Sequence, residues 1–143
     1  MKLRPLFLAL FFVHSVSLTT PATAEEVHTP AAGTGERKAL MDGMRKWVLQ
    51  QHQIEVIFVV NALLVKDGYA WADVNPQSSD GSAQYEPISG VLKLEGGAWR
   101  MVFPDPAVEI SVGENLSEAA ARAKANQLLL EQVPGIPREL VPR

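Results

Sequence analysis

The chain has 143 residues, 47% of them hydrophobic, with 13 basic against 16 acidic side chains and a formal charge of −3. Cysteine is absent, which excludes disulfides, thiolate metal sites and a cysteine nucleophile. The basic residues are scattered along the chain, so a nucleic-acid partner, which needs a concentrated basic face, is not expected.

Residues 1–24 read as an export signal. Lys2 and Arg4 make a positive start, residues 6–13 form a short apolar run, and Ala22-Thr23-Ala24 places small residues at both positions that a signal peptidase reads. Cleavage is expected before Glu25. The rival reading of such a run is a membrane anchor, but a span needs about 20 apolar residues. Without cysteine there is no lipid-attachment site, so the mature protein is expected to be periplasmic or secreted, with no stable membrane anchor. Losing Lys2 and Arg4 makes it two units more negative than the whole chain. About 119 residues remain, enough for one core and near the usual size of a single domain.

Residues 25–35 carry Pro30, Gly33 and Gly35 among small side chains and predict a flexible tether. The single domain is expected over residues 36–133. It begins with an amphipathic helix, because Leu40, Met44, Trp47, Val48 and Gln51 recur at helical spacing. Trp47 is expected to be its main core anchor, and Gly43 a mild penalty on the solvent side.

Two mostly apolar runs follow, residues 54–65 and 70–74, separated by Lys66-Asp67-Gly68-Tyr69. Asp-Gly between such runs is a strong signal for a type I′ hairpin, because both central residues must take positive φ. The turn sets Leu64 opposite Trp71 and Leu63 opposite Ala72. Residues 75–83 are polar, with Pro76 and Gly81, and predict a surface loop. A second hairpin is expected from residues 85–95 and 98–103 around Gly96-Gly97. It puts Leu94 opposite Trp99 and Leu92 opposite Met101 on a buried face, with Lys93 opposite Arg100 on a wet one.

Residues 108–112 read as a short fifth strand. A C-terminal helix follows over residues 119–132, capped either by Ser117 alone or by Asn115 with Glu118 reaching back. Residues 134–143 are expected to be an irregular tail. The fold class is therefore α+β: an N-terminal helix packed on a four- or five-stranded antiparallel sheet of hairpins, then a C-terminal helix, with both helices on one face.

Trp47 on the helix, Gly68-Tyr69-Ala70-Trp71-Ala72 at the first hairpin and Trp99 after Gly96-Gly97 resemble, over residues 36–103, the cystatin-like and nuclear-transport-factor-2-like group. The resemblance implies a sheet curled around a helix. The C-terminal helix departs from the group's usual ending. The group holds enzymes, inhibitors and accessory modules, so it implies no single activity. Gly-Tyr-Ala-Trp-Ala also looks like a pattern in uncharacterised small secreted bacterial proteins.

No catalytic constellation is evident. His28 lies in the tether, and His52 at the helix end has no serine or second histidine at useful spacing. Asp80-Gly81-Ser82 resembles a fragment of a calcium loop, but turn chemistry accounts for it. No cofactor and no metal site is expected. The best ligand-binding candidates are Tyr69, Trp71 and Asp73, which share a strand face by alternation, and Tyr85, next to Glu86. A concave face carrying them would suit a sugar, a peptide or a small amphipathic ligand. The competing arrangement puts Trp71 under the first helix and Asp73 at a solvated strand end.

The expectation for function is a non-enzymatic exported binding or accessory protein of the bacterial envelope, including an inhibitor of an extracytoplasmic enzyme. Its partner would be a protein or small ligand there. The alternative is a small pocket enzyme or ligand carrier using the aromatic and carboxylate face. A third is a self-associating subunit using Ile57, Val59 and Leu63 or the alanine-rich helix.

Overall fold

Thr34 opens the first helix, its hydroxyl accepting from the Arg37 amide at 3.3 Å, and Gln53 in the left-handed region (φ 57°) closes it. This helix, α1 (Gly35–His52), presents Leu40, Met41, Met44 and Val48 to the interior. The computed structural model describes residues 24–143, and the expected signal segment, apart from Ala24, lies outside the described residues.

The protein is α+β: the described residues form a four-stranded antiparallel sheet in the order β1-β2-β3-β4 and three α-helices. The strands are β1 (Ile57–Lys66), β2 (Tyr69–Gln77), β3 (Ile88–Glu95) and β4 (Ala98–Pro104). Asp67 and Gly68 take φ of 50° and 75° at the first turn, as a type I′ hairpin requires. Gly96 and Gly97 do the same at the second, with φ of 58° and 78°. The resulting register sets Leu64 against Trp71, Leu63 against Ala72, Leu94 against Trp99 and Lys93 against Arg100.

Strand alternation then divides the interior into two cores. Even-numbered residues of β2 (Ala70, Ala72, Val74) face α1, together with Leu63, Val65 and Leu92. The small alanines let the helix approach closely. Gly43 lies at that contact and not on the solvent side: a Cβ there would sit 2.5 Å from the Trp99 carbonyl oxygen. Trp47 is only half-buried, its ring edge-on to His52 with centroids 6.0 Å apart, and Met44 and Leu40 anchor the helix instead.

The opposite face carries Trp71, Val91 and Phe103, covered by Leu129, Val133, Ile136 and Leu140. Each large apolar side chain fully buried there contributes about 1.5–3 kcal/mol. The cover comes from α3 (Glu118–Gln132) and the segment after it, which includes a 3-10 turn at Arg138–Leu140. The two long helices therefore lie on opposite faces of the sheet, and Trp71 lies beneath α3, not α1. The wet face expected around Lys93 and Arg100 is confined to the hairpin tip, because Val91 and Phe103 farther along are buried.

Residues 108–112 are not a strand. They belong to α2 (Ala107–Glu114), which starts after Pro106 and ends at Asn115 in the left-handed region. Proline is well placed at a helix start, and Ala107 is the residue of this helix that is buried. Ser117 is the cap of α3, its hydroxyl accepting from the Ala120 amide at 3.2 Å. Between these elements Arg122 donates two hydrogen bonds to Asp105, at 2.9 and 2.8 Å. The Asp105 side chain is only 4% exposed, so this fork ties α3 to the end of β4.

Residues 25–35 are docked on the domain. His28 and Val65 exchange backbone hydrogen bonds of 3.0 and 2.8 Å on the outer edge of β1. The Glu25 carboxylate accepts from the Asp67 amide at 3.0 Å, and Arg37 donates to the Pro30 carbonyl at 3.1 Å. The His28 imidazole lies 2.9 Å from Glu36 and 3.7 Å from Glu25. The hydrogen bond to Glu36 raises its pKa above the ordinary 6.5. A group whose pKa is raised by folding stabilises fully below the unfolded value and loses that contribution as pH climbs through the folded one. The His28 ring protons, followed by NMR, are expected to titrate with a midpoint above 6.5, and Glu36→Gln to bring it back towards 6.5. An unchanged midpoint in Glu36→Gln would remove Glu36 as the cause.

Candidate functional site

The four candidate residues fall into two places. Tyr69 and Trp71 belong to the second core. Trp71 is 9% exposed among Val91, Phe103 and Leu129, and the Tyr69 hydroxyl lies against Gly135 with Lys93 above its ring at 5.6 Å. Asp73 and Tyr85 lie farther along, at a corner of the same face outside the second core.

That corner is built by a bulge. The pairing of β1 with β2 shifts between Val60 and Ala62, so Asn61 is the extra residue. Its side-chain amide donates to Asp73 at 3.3 Å and to the Asn75 oxygen at 3.2 Å, and Asn75 donates back to the Asn61 oxygen at 3.3 Å. A row of two amides and one carboxylate thus runs across β1 and β2. Val59 pairs with Asn75 and Ile57 with Gln77, which sets both apolar side chains beside that row, 48% and 38% exposed.

Beyond β2 the chain folds back. Asp80 accepts from the Ser78 hydroxyl at 2.7 Å and from the Ser82 hydroxyl and amide at 2.8 and 3.0 Å. These donors, led by Ser78, hold its carboxyl down to about 2. The loop is a closed turn, and Gln84 bridges to Gln77. Tyr85, whose amide donates to the Pro76 carbonyl at 3.0 Å, is left 39% exposed at its end. Val59, Asn75, Gln77, Gln84 and Tyr85 surround a recess of about 410 Å³. Strand β3 starts only at Ile88, so Tyr85 lies in the connection and not in the hairpin.

Asn61, Asn75 and Gln84 were not indicated by pattern alone. The one available signal was Asn61 itself, a lone amide interrupting a β-branched run, which is where a bulge fits.

A second recess of about 790 Å³ runs between α2 and α3, lined by Val108, Val112, Ala119, Ala123, Arg122 and Asn126. Val108 and Val112 are 73% and 79% exposed. Among the described residues, no group of three or more His, Asp or Glu is placed to hold a metal ion, and no helix is long and apolar enough to cross a membrane.

Among the described residues, fold and corner together define a small α+β domain, an antiparallel meander with helices on both faces and an uncovered corner. Comparison with protein-family models, characterised proteins and solved structures finds no match.

Proposed function

We propose that the protein is an exported, non-enzymatic binding or accessory protein of the bacterial envelope, and that the uncovered corner is its recognition surface. One observation carries this reading: Ile57, Val59 and Tyr85 stay exposed around the hydrogen-bonded row of Asn61, Asp73 and Asn75. Apolar anchors beside fixed polar groups suit either a protein segment or a small amphipathic ligand. An inhibitor of an extracytoplasmic enzyme fits the same surface. The alternative, a ligand carrier or small pocket enzyme, is favoured by the recess beside Tyr85, with Asp73 as its ionisable group.

The test is a titration of isotope-labelled protein with envelope-derived peptides and glycan fragments. Amide shifts are expected to centre on Val59, Asn75 and Tyr85, and Tyr85→Ala to weaken binding about tenfold, in the range of a modest interface anchor. If every ligand leaves those amides unmoved, the corner is not the recognition surface. Turnover of a bound ligand that Asp73→Asn abolishes would replace the binding protein with the enzyme.

A further inference from the structure

The recess at the corner is uncharged but stands in acidic surroundings. Residues 67–92 hold Asp67, Asp73, Asp80 and Glu86 and no lysine or arginine, while the lining itself, from Val59 and Asn75 to Tyr85 and Pro87, carries no charge. An anionic ligand would meet carboxylates near the rim and no cation to hold it. The backbone offers an incoming chain little to pair with. Pro76 and Pro87 have no amide hydrogen, and the Tyr85 amide is taken by the Pro76 carbonyl at 3.0 Å. A peptide that docks through main-chain hydrogen bonds is poorly served there, so recognition falls to side chains.

Those side chains are amides and one aromatic ring. Asn75 accepts from the Asn61 amide at 3.2 Å and donates back at 3.3 Å, which fixes its plane and leaves one N–H and one lone pair for a ligand. Gln77 is half-buried and Gln84 exposed at the rim, and each amide is donor and acceptor together. The Tyr85 ring adds an apolar plate, anchored through its own amide and followed by Pro87.

We propose that this recess binds a neutral sugar, with one ring of a glycan against Tyr85 and its hydroxyls on the amides of Asn75, Gln77 and Gln84. A hydroxyl, like an amide, donates and accepts, so the two match without any charge. A sugar ring also has a face of C–H groups, which an aromatic ring can cover. The volume of about 410 Å³ suits a small ligand. This inference rests on the corner being the recognition surface and narrows what that surface recognises. Few groups are in contact, so the dissociation constant is about 1 mM.

The experiment is an NMR titration of the isotope-labelled protein with glucose, galactose, mannose, N-acetylglucosamine and their disaccharides, beside glucuronate and a neutral alanine-rich peptide. At least one neutral sugar is expected to shift the amides of Asn75, Gln77 and Tyr85 and to saturate at millimolar concentration, with glucuronate leaving them unmoved. Gln84→Ala should weaken that sugar about fivefold, whereas Tyr85→Phe, which keeps the ring, should bind like the wild type. Gln84 is exposed, so its variant is expected to fold, as an unchanged spectrum away from the corner checks. If that spectrum changes widely, Gln77→Ala gives the same comparison. Shifts from the peptide and from no sugar overturn the sugar but keep the corner as the recognition surface, and no shift from either overturns both. Glucuronate binding as tightly as glucose, or sugar shifts that Gln84→Ala and Tyr85→Ala both leave intact, also overturns the proposal.

Discussion

Gly43→Ala is expected to lower the free energy of unfolding by about 2 kcal/mol, read from the urea midpoint, although it replaces a poor helix former with the best one. Helix propensity alone favours the substitution by about 1 kcal/mol. Against it stands a methyl group placed 2.5 Å from the Trp99 carbonyl oxygen and 3.1 Å from the Trp99 Cβ. Both obstacles belong to the strand, not to the tip of a flexible side chain. The helix must lift from β4, loosening Met44 and Leu40 from their sheet contacts, and overpacking against backbone costs about 3 kcal/mol, the top of the usual range. Gly113→Ala in α2 is the control. A Cβ there meets nothing within 4 Å, so the propensity gain should appear unopposed. Equal stabilisation by both substitutions would show that α1 does not press on Trp99.

The second large effect is expected from Arg122. Its guanidinium makes both hydrogen bonds to an Asp105 carboxylate that is itself almost fully covered. Arg122→Ala leaves that carboxylate charged, covered and without its partner, at a cost of about 3 kcal/mol. The estimate sits at the low end for buried pairs because the Arg122 side chain keeps 28% of its surface. Arg122→Lys should restore only part of the loss, since a single ammonium cannot reproduce the two-pronged contact. Combining Arg122→Ala with Asp105→Asn should cost less than Arg122→Ala alone, because no unpaired charge remains, and a double-mutant cycle measures the difference. A cost below about 1 kcal/mol for Arg122→Ala would class the pair with ordinary surface ion pairs.

Both sites bear on what the chain discloses before it folds. The hairpins were legible because Asp67-Gly68 and Gly96-Gly97 are local signals: positive φ at consecutive residues fixes a two-residue turn, and the turn fixes the register of Leu64 with Trp71 and of Leu94 with Trp99. The helix face at Leu40, Met44 and Val48 was legible from spacing in the same way. What periodicity does not carry is which surface meets which. Gly43 reads as a defect until β4 is placed against it. Leu140 and Ile136 are isolated apolar residues among prolines, yet they are 2% and 6% exposed. Residues 108–112 alternate like a strand, but they are bounded by Pro106 and a left-handed Asn115 and close into a helix. The candidate site divided for a related reason. Alternation correctly put Tyr69, Trp71 and Asp73 on one face, but it does not tell how far along that face the cover extends. The C-terminal cover takes in Tyr69 and Trp71, and the corner with Asp73 and Tyr85 is left beyond it.

That cover follows the whole meander in sequence. Trp71, Val91 and Phe103 are complete as a surface once β4 exists, but Leu129, Val133, Ile136 and Leu140 arrive only afterwards. A growing chain can lay α1 on one side of the meander while the other side still lacks its lining, so the cooperative gain of the second core is withheld until residues 129–140 are made. For a protein that is exported, as proposed, this order of arrival delays the final locking of the fold. Until residues 129–140 emerge, the apolar surface of Trp71, Val91 and Phe103 stays open to water, and the chain is without the burial that closes its second core.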